Sequence, residues 1–155
     1  MNIMKKKKWE HAKTKGNKTE SIAKDWLSKY NCKQEDTMRN TRTRSKGSID
    51  FEGDKVAIEV KHFTKLLTFK YKSEVHDIHW SQLEYLNKQL LKGKVSGLLI
   101  TEDNKTFYFI HISSFMMWWV NCNRKSINVD IAKNIGVEVH NREELELVID
   151  GGLNG

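Results

Sequence analysis

Asp50, Glu59 and Lys61 are the residues in this chain whose types and spacing could do chemistry. They lie in Gly47-Ser-Ile-Asp-Phe-Glu-Gly-Asp-Lys-Val-Ala-Ile-Glu-Val-Lys-His62, which reads as a β-hairpin. Strand side chains alternate between faces, so Ile49 and Phe51 are expected to point one way on the first strand. Val56, Ile58 and Val60 do so on the second, leaving Asp50, Glu59 and Lys61 at the alternate positions. With Glu52-Gly53-Asp54-Lys55 as the turn, Phe51 pairs with Val56 and Asp50 with Ala57. Asp50 is then diagonal to Glu59, with backbones roughly 7–8 Å apart. Two carboxylates converging there would suit a hard divalent cation such as Mg²⁺, which prefers oxygen ligands and retains water. Lys61, two residues along the same face, could position or help deprotonate an attacking water and steady a pentavalent phosphorane. That chemistry is phosphodiester hydrolysis. The simpler alternative is a solvent-facing charged strand, but the short apolar flanks suit a central hairpin better than an edge.

The elements that must position these residues belong to a chain of 155 residues, 38% hydrophobic, long enough for one domain with its own core. We expect a basic arm over 1–15, a single domain over 16–150 and a flexible tail over 151–155. The net charge of +7, from 27 basic and 20 acidic residues, favours a polyanionic partner, with nucleic acid first. No apolar run of about 18 residues is present and no apolar core follows the lysines at 5–8, so no membrane association and an intracellular, cytoplasmic location are expected. Cys32 and Cys122 lack the spacing of a zinc site or a disulfide framework and are expected to be free thiols.

Ile22, Ala23, Trp26, Leu27 and Tyr30 recur at helical spacing, which predicts a helix from about Thr19 to Ser28 with Glu20 in its first turn. Arg39, Arg42, Arg44 and Lys46 form an acid-free basic stretch before the hairpin, better explained by phosphate binding than by a solvated charge run. Leu83, Leu86, Leu90 and Leu91, closed by Lys92-Gly93, predict a helix over 78–93. Val95–Ile100 and Phe107–Ile112 read as strands joined by a polar turn, and Ser113-Ser114 as the cap of a short helix through Trp119. A helical turn over 128–133, a strand over 137–140 and a helix over 143–149 complete the chain. This order implies an α/β fold with a central mixed sheet flanked by helices. Trp80, Trp118 and Trp119 could stack on bases, though packing is the simpler role for an apolar cluster.

The Asp50…Glu59-x-Lys61 hairpin resembles the core of PD-(D/E)XK nucleases, which have a restriction-endonuclease-like fold. Further segments, in the same order along the chain, resemble RecU-type Holliday junction resolvases. Gly16-Asn-Lys-Thr-Glu20 is similar to a Gly-x-x-x-Glu helix opening, and Ile78-His79-x-x-Gln82-Leu83 to an aromatic-His-x-x-Gln segment. Trp118-Trp119 and Arg124-Lys125-Ser126-Ile127 resemble a Trp-Trp pair and a Gly-Arg-Lys-Ser-Ile stretch. The resemblance implies a Mg²⁺-dependent endonuclease, with Mn²⁺ able to substitute, that acts as a homodimer on branched DNA and places paired symmetric nicks. It implies Asp50 and Glu59 as metal ligands, Lys61 as the catalytic lysine, Glu20 as an accessory acid and Gln82 as a residue orienting water or phosphate. The family's long stalk between the first helix and the hairpin has only residues 31–46 as its counterpart here. A nuclease for a flap, a fork or a duplex site, or a non-catalytic basic DNA-binding module, are the alternative readings.

Overall fold

The structure is a computed structural model that describes residues 18–34, 49–65, 67–70, 78–122 and 126–154. The basic arm at 1–15 and Arg39, Arg42, Arg44 and Lys46 lie outside the described residues. Helix α1 spans 18–26 and is followed by a 3₁₀ turn, Ser28–Tyr30. Three strands come next: β1 (Lys33–Gln34), β2 (Phe51–Glu52) and β3 (Val56–His62). They are followed by β4 (Leu67–Lys70), β5 (Ile78–His79) and α2 (Trp80–Leu91). Then come β6 (Val95–Thr101), β7 (Phe107–His111), α3 (Ile112–Asn121), β8 (Ser126–Ile127), α4 (Val129–Ile135), β9 (Val137–Val139) and α5 (Arg142–Asn154).

The main sheet has six strands in the order β1-β2-β3-β6-β7-β9, and a smaller sheet has the order β5-β4-β8. β3 and β6 are parallel, while β2 pairs with β3 and β6 with β7 antiparallel. The fold is therefore α/β with a mixed central sheet flanked by helices, compatible with a restriction-endonuclease-like core. Strand alternation divides the interior into two layers. Ala57, Leu98, Ile100 and Ile110 pack with Leu83 and Leu86 of α2 and Phe115 of α3. Val56, Ile58, Val60, Leu99, Phe107 and Phe109 pack with Ala23 and Leu27 of α1 and Leu145 and Ile149 of α5. Both faces of β3 are covered as far as Val60, so Glu59 cannot be an ordinary wet-face residue.

Several sequence expectations are corrected. The hairpin pairs Phe51 with Ile58 and Glu52 with Ala57, two residues out of the expected register. The Gly53 N–H donates to the Val56 carbonyl at 2.9 Å, so the loop is only Asp54-Lys55. Gly53 is required at the strand end, because a Cβ there would lie 2.8 Å from the Tyr30 carbonyl oxygen. Ile49 packs on the α2 side and Phe51 on the α1 side. The strand stops at Phe51, the chain bends at Asp50, and the alternation does not extend to Ile49.

Helix α3 begins at Ile112, directly out of β7, with His111 at its N-cap, so Ser113 and Ser114 lie inside the helix and do not cap it. The helix α5 continues through Gly151 and Gly152 to Asn154, where a flexible tail was expected, because Leu153 packs against the α1-side core. Asn128 caps α4 by accepting from the Ile131 N–H at 2.9 Å. Gly93, at φ 89°, ends α2 in a left-handed conformation that favours glycine. Cys32 and Cys122 are free thiols.

Candidate active site

Asp50 lies at the bend just before β2, beside the stretch of β3 that carries Glu59 and Val60. One carboxylate oxygen of Asp50, Oδ2, accepts the Val60 N–H at 3.0 Å, so its carboxylate lies against the backbone immediately after Glu59. Asp50 is 7% exposed and Glu59 1%, a degree of burial uncommon for carboxylates. Glu59 shares its face of β3 with Ala57 and Lys61 and meets α2. Gln82 Nε2 donates to Glu59 Oε2 at 3.3 Å, and Lys61 Nζ stands 4.0 Å from Glu59 Oε1.

Gln82 is itself held by the start of its helix. Its Oε1 accepts the His79 N–H at 3.1 Å, satisfying a backbone donor that the first turn of α2 leaves without an intrahelical partner. The amide therefore has a fixed orientation, with its carbonyl toward the helix end and its NH₂ toward Glu59. Sequence alone gives no sign of this double use.

Glu20 falls on the stripe of α1 that includes Ala23 and Leu27, whose side chains pack in the α1-side core, and is half-buried. The Thr19 hydroxyl donates to Asn104 Oδ1 in the β6–β7 turn, and the Asn104 N–H donates to Thr101 Oγ1. Because β3 and β6 are parallel with His62 opposite Thr101, this contact sets the start of α1 at the sheet end where Lys61 leaves β3. Glu20 thus approaches that end from the opposite face to Gln82.

A cluster that sequence reasoning missed lies further along the hairpin. Tyr85, one turn beyond Gln82, places its hydroxyl 2.7 Å from both carboxylate oxygens of Glu52, and Lys94 Nζ is 3.3 Å from Glu52 Oε1. The spacings that could have indicated it were the two residues from Asp50 to Glu52 and the three from Gln82 to Tyr85. These contacts engage Glu52 with Tyr85 and Lys94, although it shares a face of the sheet with Glu59. The tryptophans pack: Trp118 is buried, and the Trp80 and Trp119 ring centroids are 6.1 Å apart.

Among the described residues, no three His, Cys, Asp or Glu side chains gather around a point that could hold a metal ion. The Asp50–Glu59 pair still fits Mg²⁺, which is commonly held by one or two carboxylates while water and substrate phosphate fill its other positions. No helix among the described residues is long and apolar enough to cross a membrane.

No model of a known protein family matches this chain, and no curated protein does.

Proposed function

We propose that this chain is a Mg²⁺-dependent DNA endonuclease that resolves four-way junctions by hydrolysing one phosphodiester in each of two strands. The observation that carries the reading is the buried Asp50–Glu59 pair, Asp50 bonded to the backbone next to Glu59 on β3, with Lys61 beside Glu59 and Gln82 fixing it. Placing two carboxylates inside a fold costs stability, which a purely structural role would not require. The net charge of +7 and the resemblance of the surrounding segments to RecU-type resolvases give the pair a DNA substrate.

Asp50 and Glu59 would hold the ion, and Mn²⁺ could replace Mg²⁺ there. A bound divalent ion would supply Lewis-acid stabilisation of the phosphate charge and lower the pKa of the attacking water. Asp50 presents its carboxylate with Oδ2 tied to the Val60 N–H. Gln82 holds Glu59 through Oε2, and Lys61 approaches through Oε1. The Lys61 ammonium is suited to orienting the water and to donating hydrogen bonds as negative charge develops on the phosphoryl oxygens. Glu20, on the far side of the same sheet end, is an accessory acid in this scheme. In the reaction a water oxygen forms a bond to phosphorus, one phosphorus–sugar oxygen bond breaks, and the leaving oxygen takes up a proton. A homodimer would present two identical sites to a substrate of near two-fold symmetry.

The test is cleavage of a labelled four-way junction, a flap and a plain duplex, each with and without Mg²⁺. Paired symmetric nicks on the junction alone are expected. Metal-dependent cutting of the flap or duplex instead would keep the nuclease and refute junction selectivity, an outcome that the short segment at 31–46 makes worth testing. Tight binding without cutting would leave a DNA-binding module.

A further inference from the structure

We propose that Tyr85 is a positioning residue for this site: by gripping Glu52 it holds α2 on the hairpin at the setting that keeps Gln82 on Glu59. The proposal rests on reading Glu59 as a functional carboxylate. Its geometric part stands on the contacts themselves. Gln82 and Tyr85 are three residues apart and share a face of α2. Glu52 and Glu59 lie on the two strands of the hairpin and share a face of the sheet. The helix therefore bonds to both strands through side chains, Tyr85 to β2 and Gln82 to β3.

Two points of attachment fix what one cannot. Leu83 and Leu86 set the height of α2 above the sheet and the Ser96 hydroxyl of β6 donates to the Leu86 carbonyl at 2.6 Å, but apolar contact is non-directional and a single hydrogen bond leaves the helix free to turn about that point. The Tyr85 hydroxyl, 2.7 Å from both Glu52 oxygens, is directional and charge-assisted. By contrast, the Gln82–Glu59 bond at 3.3 Å is near the long end of the useful range, so a shift of a few tenths of an ångström would break it. The short contact is the anchor and the long one depends on it. Without the hydroxyl, Glu52 would keep Lys94, whose N–H donates to the Gln89 carbonyl at 3.2 Å and so ties the hairpin only to the C-terminal end of α2, two turns beyond Gln82.

The experiment follows the Gln82 side-chain NH₂ resonances by ¹H–¹⁵N NMR in the metal-free protein, assigned by their loss in Gln82→Leu. Tyr85→Phe should move them toward the positions of a free glutamine amide. Glu52→Ala should reproduce the movement from the other partner, which covers the case in which Tyr85→Phe does not fold. Glu52→Gln, which keeps an acceptor for the hydroxyl, should leave them near wild type. Unmoved resonances in Tyr85→Phe or in Glu52→Ala would overturn the proposal. In single-turnover junction cleavage, Tyr85→Phe should slow the wild type about tenfold and have no further effect in a Gln82→Leu background. Equal slowing in both backgrounds would also overturn it. A wild type that cuts nothing would refute the nuclease reading, while the amide resonances would still decide the role of Tyr85.

Discussion

Replacing Glu59 with glutamine separates function from folding at the centre of this site. The substitution keeps volume and shape and removes one negative charge. The carboxylate is 1% exposed, and burying an ion in a protein costs several kcal/mol even after relaxation. The contacts to Gln82 and Lys61 offset part of that cost. A hydrogen bond to a charged group contributes about 1.5–3 kcal/mol, and the 3.3 Å bond from Gln82 belongs at the low end. Lys61, 4.0 Å away with 29% of its side chain exposed, contributes about 1 kcal/mol once solvent screening is allowed for. In Glu59→Gln the Gln82 NH₂ can still donate to a carbonyl oxygen, and Lys61 can turn to solvent. The variant should therefore match wild type in chelator, or exceed it by up to about 2 kcal/mol, in urea unfolding. With Mg²⁺ the order reverses. At a hundredfold excess over its dissociation constant a ligand adds about 2.7 kcal/mol to the wild type, and the variant should gain less than about 0.5 and cut no DNA. A loss of more than about 2 kcal/mol in chelator, or an undiminished response to Mg²⁺, would refute the reasoning and make Glu59 a structural carboxylate.

Lys61→Ala should lower the single-turnover cleavage rate about a hundredfold with little change in junction affinity, and an unchanged rate in a quenched-flow assay would count against its catalytic role. Burial lowers the pKa of His111, which packs edge-on against Phe109 with centroids 4.8 Å apart. Its stabilising contribution is therefore complete above the unfolded-state value of about 6.5 and declines as pH falls below it. Urea midpoints from pH 8 to 5 should decline less in His111→Gln than in wild type, and parallel curves would exclude the histidine as a cause. A Cβ at Gly97 would sit 2.3 Å from the Ile110 carbonyl oxygen on the neighbouring strand, so Gly97→Ala should cost about 3 kcal/mol or more. At Gly151 in α5 a Cβ meets nothing within 4 Å, and Gly151→Ala should instead gain up to about 1 kcal/mol in the same unfolding assay.

The elements with strong local signals were legible. The leucine spacing of α2 and the glycine after it predicted its extent to within about two residues, and β6 and β7 followed from their apolar runs and the polar turn. The hairpin register was not. Both registers put the same residues on the same faces, so alternation cannot choose between them, and the close packing of Gly53 on Tyr30 is a tertiary fact. The pairing of β3 with β6 is equally hidden, because it joins strands separated by β4, β5 and α2. At the candidate site the acids and the lysine were visible as types at a spacing. The orientation of Gln82 and the grip of Tyr85 on Glu52 were not, since each depends on where α2 lies across the hairpin.

The two-residue loop Asp54-Lys55 stands between the two acids in the chain, with Asp50 before it and Glu59 after it. A break in the chain there would divide it into a piece carrying α1, β1 and β2 and a piece carrying the remaining strands and helices, with one acid on each. Under the proposed function, neither fragment could bind the ion through both acids. Any cleavage recovered on mixing would report reassembly of the β2–β3 pair, with the hairpin as the seam between the two halves.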